Sequence, residues 1–338
     1  MRSERLRELM EERGLGAALL RRPENFAWYT GGGNSRVEYA APLGVADVVV
    51  TMDGEQVLAS SIEAPRMRAE EASGFEVVEY PWEQGPDAAM RELVGDAPLG
   101  ADVPIPHAAD LAEGLAALRR VLDADTVERL RSVGADLIAA LSEAGGAVQP
   151  GVTEHDAAAE IAAACRRRGL VPTVLLAATH ERIARYRHPL PTDALIERRA
   201  MLVASAQRGG LYANLTRIVP FEDPDPELAR RQAACDEILA RMREEATQPG
   251  RSLTDAFADC RRFYAEVGHP DEWRLHHQGG MTGYASREVI ATPDTDVRIE
   301  AGNAFAWNPS ITGAKAEETF VLTEAGAEVV AGAAASVS

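Results

Sequence analysis

Apolar residues return at helical spacing between Glu4 and Arg13 (Leu6, Leu9, Met10), and Gly14 and Gly16 end that run before the short apolar strand "AALL" at 17–20. "FAWYT", ahead of Gly31 to Gly33, has the aromatic composition of a strand. "GVADVVVTM" predicts a buried strand, Asp53 and Gly54 a hairpin turn, and "EQVLAS" its partner; "IEAPRMRAEEA" then returns to helix and "FEVVEY" to strand. Strands alternate with helices, which predicts a first unit of α/β type and about 120 residues.

The Pro- and Ala-rich stretch "LGADVPIPHAADLAEGLAAL" leads into a helix from Thr126, so the expected division is 1–122 and 123–338. Beyond it the helix starts are well marked. Thr153 with Asp156 opens one helix, Asp225 followed by Pro226 a second reaching Met242, and Ser252 with Asp255 a third closed by Gly268. Strand-like runs lie between them: "PTVLLAA", "AMLVASAQ", "LYANLTRIVPF", "NAFAWNP" and "ETFVLTEAG". Helices in blocks and strands that adjoin one another predict α+β for this unit, and the chain has no tandem repeat.

Composition narrows the partners. With 53 acidic against 35 basic residues spread along 338, the net charge of -18 repels a phosphate backbone, so nucleic acid and anionic membranes are not expected partners. No segment approaches the ~18 uninterrupted apolar residues of a membrane span. The opening "MRSERLRELMEERGLGAALL" is an amphipathic charged helix without the apolar core of a signal peptide. Cys165, Cys235 and Cys260 cannot all pair and show no C-x-x-C spacing, which suits buried thiols in a reducing cytoplasm.

Familiar catalytic motifs are absent. "GGG" lacks the spacing of a phosphate loop, "HE" at His180 and Glu181 has Ala184 where a zinc protease needs its second histidine, and no serine stands in a G-x-S-x-G turn. What remains is a series of polar residues at strand ends in the second unit. It comprises "RYRHP" with Arg187 and His188, "ANLTR" with Asn214 and Arg217, "LHHQGG" with His276 and His277, "WNP" with Asn308, and "AEETFVL" with Glu317 and Glu318.

In their order these segments resemble the creatinase, prolidase and aminopeptidase P group of the pita-bread metallopeptidase family. "RPENFAWYTG" is similar to an "ENIRYLTG" segment of the creatinase-type N-terminal domain, and "RHPLPTDALIERRAMLV" to a "PH-x-x-P" loop and strand. "GLYANLTRIV" resembles "GYxxDITRTF", "HHQGG" resembles "GHGIG", and "WNPSITGAKAEETFVLTEAG" resembles "EPGxYxxxxGVRIEDTVLVTEEG". The resemblance implies a smaller α/β N-terminal domain followed by a pita-bread catalytic domain.

Metallopeptidases of this family bind two divalent ions with two Asp, one His and two Glu. Carried over, those positions are Val203, Asn214, His277, Asn308 and Glu317, so two of five ligands survive. Four positive charges would face one carboxylate, a neutral imidazole and weak amide oxygens, and a dinuclear site is not expected. A single weakly bound divalent ion at His277 and Glu317 is the lesser alternative. Creatinase, of the same fold, works without metal through a histidine in the loop that "RYRHP" resembles, which corresponds to His188. An imidazole titrating near neutrality can take a proton from water and return it to a leaving nitrogen.

The sequence therefore predicts a metal-independent, creatinase-like hydrolase that cleaves a C–N bond in a small amino-acid-derived or dipeptide-like substrate. His188, His277 and Glu317 are the expected catalytic group. Arg36, Arg187, Asn214, Arg217, His276, Tyr284, Arg287, Glu288, Asn308 and Glu318 are the expected substrate-binding residues. "HHQGGMTGYASRE" departs from the family pattern, with Arg287 where a second histidine is usual. By resemblance the protein is a homodimer whose N-terminal domain, through Arg36, reaches the partner's cleft. The alternatives are a Xaa-Pro-type metallopeptidase with a degenerate one-metal site, an inert binding protein of the same fold, and a lyase or isomerase using the same histidine.

Overall fold

The computed structural model describes residues 2–332 and resolves two compact units, Met1–Arg120 and Val121–Ser338. The division falls two residues before the expected one, because helix Ala112–Arg120 closes the first unit and the amide of Leu122 already bonds the carbonyl of Gly302 at 3.0 Å.

In the first unit the predicted strands Ala17–Leu20, Ala46–Thr51, Glu55–Ser60 and Glu76–Tyr80 form one sheet with Leu99–Ala101 and Ala109–Asp110. The buried carboxylate of Asp102 accepts from the amides of Arg21 (3.0 Å) and Arg22 (2.9 Å) and from Asn25 Nδ2 (2.8 Å), which fixes the turn out of the first strand. That turn opens a helix, Pro23–Thr30, where a strand was expected. Proline at the start of the helix sets a helical φ, Phe26, Trp28 and Tyr29 are all buried, and Gly31 ends it at φ 80°. Burial all round erases the periodicity that would have marked a helix. "IEAPRMRAEEA" is helical from Ala64 and finishes in one wide π turn, Met67–Glu71.

The second unit has two halves. In one, helices Ala124–Ala147 and Glu154–Arg167 cover an antiparallel sheet of Val171–Thr179, Arg199–Arg208 and Leu211–Pro220. Asp123 caps the first helix through the Thr126 amide (2.8 Å), and Thr153 with Asp156 forms the reciprocal capping box on the second. In the other half, Val289–Ile290, Gly279–Thr282, Ala304–Trp307, Glu318–Thr323 and Gly326–Ala331 form a five-stranded antiparallel sheet in that spatial order. Helices Pro226–Arg241 and Leu253–Glu266 pack on it through Ile238, Phe257, Cys260 and Phe263 against Phe305, Trp307 and Phe320.

The halves join where the Asn214 amide donates to Thr319 Oγ1 (2.8 Å) and that hydroxyl donates to the Asn214 carbonyl (2.9 Å). Strand Gly279–Thr282 carried no pattern in the sequence. Its two glycines sit at φ 98° and 148°, and a Cβ on either would lie 2.1 Å from the carbonyl oxygen of Ala306 or of Val289, so only glycine fits. Among the described residues no helix is long and apolar enough to cross a membrane, and the three cysteines are buried and unpaired.

Candidate active site

Both sheets of the second unit, and the loop that ends at strand Arg199–Arg208, contribute to one cluster. His188 stands at its exposed mouth, on the loop after helix His180–Arg185; His276 is buried and His277 half-buried, both immediately before the glycine pair. His188 Nε2 lies 2.9 Å from His276 Nε2, and His276 Nδ1 is 3.2 Å from Ser310 Oγ. One ligand atom from each of the three imidazoles falls within 4.8 Å of the others.

All three are driven toward the neutral form. Burial, then the charge of Lys315, pushes His276 down to about 2; burial and Arg287 push His277 down to about 4. His188 is also lowered, by burial first and Lys315 second, with Glu317 opposing. At neutral pH each ring offers a lone pair, and the close His188–His276 contact is a hydrogen bond in which one ring donates and the other accepts.

Glu317 is the charged centre beside them. Its carboxylate accepts from Thr216 Oγ1 (2.7 Å), pairs with Lys315 Nζ (3.1 Å) and receives Arg287 Nη2 (3.3 Å). Burial alone would raise this carboxyl, but the two cations and the hydrogen bonds outweigh it and hold it below the usual carboxylate range. Lys315, at 5% exposure, was not singled out from the sequence, nor were Thr216, Thr282 and Ser286. For Lys315 a signal was present: it is the one lysine in a chain with 34 arginines.

The remaining expected residues divide by strand face. Asn214 lies in the cluster, its Oδ1 accepting from Ser286 Oγ (3.3 Å) and its Nδ2 directed at Thr282 Oγ1 (3.4 Å). Asn308 and Glu317 lie one step beyond the Trp307–Glu318 pair, which sets them side by side, and Asn308 Oδ1 is buried without a hydrogen-bond partner. Tyr284 Oη and Arg287 Nε are likewise buried without a hydrogen-bond partner among the described residues. Arg187 braces the rim, paired with Glu272 and bonded to Thr312 Oγ1 (3.2 Å).

Three of the expected binding residues, Arg217, Glu318 and Glu288, have other partners. Arg217 follows Thr216 on its strand and therefore faces the other way, where its guanidinium bonds Ser142 Oγ (3.0 Å) on helix Ala124–Ala147. Glu318 alternates with Glu317 in the same manner and pairs with Arg243. Glu288 accepts from the Ala285 amide (3.0 Å) and shapes the 282–288 turn. In the first unit Arg36 lies near Glu24 (3.7 Å) and the Ala41 carbonyl (3.2 Å).

The donor set does not fit two divalent ions in the family's arrangement. Val203, at the first carboxylate position, packs among Leu176, Met201 and Ile218, the second and fourth positions are amides, and Glu317 is engaged by two protein cations. The three histidines are a different matter, since neutral imidazoles within 4.8 Å can hold a single ion. A cavity of about 240 Å³ lined by His180, Arg199, Ile218 and Leu228 contains none of this cluster, and His180 there accepts from Arg199 (3.1 Å), a structural pairing.

The sequence model of metallopeptidase family M24 matches residues 128–324, and that of the creatinase/prolidase N-terminal domain matches 2–133. A protein described as probable dipeptidase PepE from Mycobacterium bovis is 28% identical over 273 residues, 73% of this chain and 72% of its own. Among solved structures, prolidase from Pyrococcus horikoshii superposes with TM-score 0.83 at 16% identity, covering 100% of this chain and 99% of its own. Dipeptidase PepE from Mycobacterium ulcerans gives 0.78 at 20% identity, with coverage of 98% and 95%. Aminopeptidase P from E. coli, bound to the inhibitor Pro-Leu, gives 0.75 at 14% identity, with coverage of 97% and 94%.

Proposed function

Since the chain belongs to metallopeptidase family M24, a family of hydrolases, we propose that it hydrolyses the amide C–N bond of a dipeptide or similar small amino-acid derivative. The metallopeptidase description of the family and the dipeptidase, prolidase and aminopeptidase names of the relatives favour a peptide bond over the guanidino substrate of creatinase, and favour the Xaa-Pro-type metallopeptidase alternative over the metal-independent reading. The observation that carries the chemical reading is the neutral histidine trio beside a carboxylate clamped by Lys315 and Arg287. His188, open to the cleft mouth and hydrogen-bonded to His276, is positioned to take a proton from water and deliver it to the leaving nitrogen. The net charge of Glu317, Lys315 and Arg287 is +1, which suits a substrate carrying a carboxylate.

In the first reading this chemistry proceeds without a metal ion. In the second, one divalent ion sits on His188, His276 and His277, a reading favoured by the mutual approach of their nitrogens. Elemental analysis of protein purified without added metal, with dipeptide turnover measured before and after chelation, separates them. Activity that disappears with chelator and returns with a stoichiometric divalent ion establishes the second reading; chelator-insensitive activity that is abolished in His188→Ala establishes the first. Absence of hydrolysis across a dipeptide panel under both conditions overturns the proposal as a whole. We further propose a cytoplasmic homodimer in which Arg36 approaches the partner's cleft, checked by sedimentation and by a KM rise in Arg36→Ala.

A further inference from the structure

In a chain that meets every other need for a cationic side chain with arginine, one position is lysine, and it is buried in the cleft. Lys315 lies on the short strand Ala314–Lys315, which pairs with Ser310–Ile311 and brings it to Glu317 at 3.1 Å. Among the described residues Glu317 is its one side-chain partner, so an ammonium with three N–H groups has donors to spare. Glu317, which holds it, also takes Thr216 Oγ1 (2.7 Å) and Arg287 Nη2 (3.3 Å), and the charge of Lys315 is among the causes that lower His188, His276 and His277. A compact ammonium can approach a carbonyl oxygen end-on where a planar guanidinium would be committed to a fork.

We propose that Lys315 is a catalytic residue: its ammonium donates to the scissile carbonyl oxygen and supplies there the positive charge that divalent ions supply in metal-dependent relatives. The inference rests on the amide-hydrolase reading above. Water attacks the carbonyl carbon as His188 takes one of its protons, and the carbonyl oxygen, gaining negative charge, is held by Lys315. Collapse of the tetrahedral species re-forms the C=O bond and breaks C–N, the leaving nitrogen accepts the proton from His188, and the products are a carboxylate and an amine. Glu317 positions the ammonium, and Arg287, whose Nε is buried and unpartnered, is on hand for the substrate's own carboxylate.

The test compares Lys315→Met, Lys315→Arg and the charge-balanced double variant Lys315→Met/Glu317→Gln with the full-length native chain. Each is measured for kcat and KM on a dipeptide panel and for binding of a phosphinic dipeptide analogue, whose tetrahedral anion mimics the reacting centre. Loss of one such donor lowers kcat by roughly 100- to 1000-fold, with KM within a few-fold, and weakens the phosphinate far more than the parent dipeptide. Lys315→Arg should restore part of the loss. A merely structural lysine would instead lower the folded fraction while the folded protein kept native kcat and phosphinate affinity, and that result in the double variant overturns the proposal. If the native chain hydrolyses no dipeptide, the functional reading fails by itself; the phosphinate comparison, which needs no turnover, then decides the lysine's role separately.

Discussion

Replacing Glu317 by glutamine keeps the shape of the side chain and removes the one negative charge between Lys315 at 3.1 Å and Arg287 at 3.3 Å. At an effective dielectric near 20, each contact is a Coulomb attraction of about 5 kcal/mol, much of it offset by desolvation of the ions. What the variant feels is the uncompensated remainder, two buried cations without a counter-charge. Breaking a buried pair from one side typically costs about 3–5 kcal/mol. At roughly 2–4 °C per kcal/mol for a unit of this size, the transition of the second unit should fall by about 6–20 °C at neutral pH. Calorimetry and urea unfolding of the native chain, Glu317→Gln, Lys315→Met and the double variant measure the loss and the coupling between the two residues. The double variant should be less impaired than the two single losses summed. Acidification adds an independent check. The folded Glu317 carboxyl is depressed, so its contribution is complete above the unfolded value of about 4.3 and disappears as pH falls through the lower folded value. The gap between native and Glu317→Gln protein should therefore narrow in acid. A variant within 1 kcal/mol of native at neutral pH, or a gap that widens in acid, would refute the idea that Glu317 is the counter-ion of this cluster.

The histidines make a second pH-dependent contribution of opposite chemical origin. Because His277 and His276 are lowered to about 4 and about 2 in the fold, the unfolded chain binds protons first, and native stability should decline as pH falls below about 6.5 and continue down through about 4. Thermal scans of His277→Asn should show a shallower decline over that window. Arg217→Gln should leave kcat and KM essentially native, since its guanidinium bonds Ser142 on the helix face; a large loss of turnover would return Arg217 to the cleft.

Local rules made most of the second unit legible. Thr153–Asp156 and Ser252–Asp255 announced capping boxes, and both form. The strands with clear apolar runs, from "PTVLLAA" to "ETFVLTEAG", are all strands. Where two local signals competed the reading failed: the aromatic "FAWYT" suggested extended chain, while Pro23 and the left-handed Gly31 make it a helix. The site was legible as a set of side-chain types but not as an arrangement. Asn214, Glu317 and His188 were marked by the resemblance, whereas Thr216 and Ser286 reach those residues across 101 and 72 positions of sequence, a distance over which no pattern operates. Arg217 and Glu318 bond outside the cluster for a simpler reason, since the two-residue period of a strand puts each on the face opposite its neighbour. Lys315 was hidden in plain composition, as a count of one.

The Thr319 hydroxyl both receives from and gives to the backbone of Asn214, and the Tyr212 amide, bonded to the Gly283 carbonyl, and Thr216, bonded to Glu317, tie the same two halves. This seam is closed by the chain's own backbone and side-chain groups. The floor of the cleft is thus held by bonds made in folding, and of the three histidines it is His188, at the mouth, that is exposed.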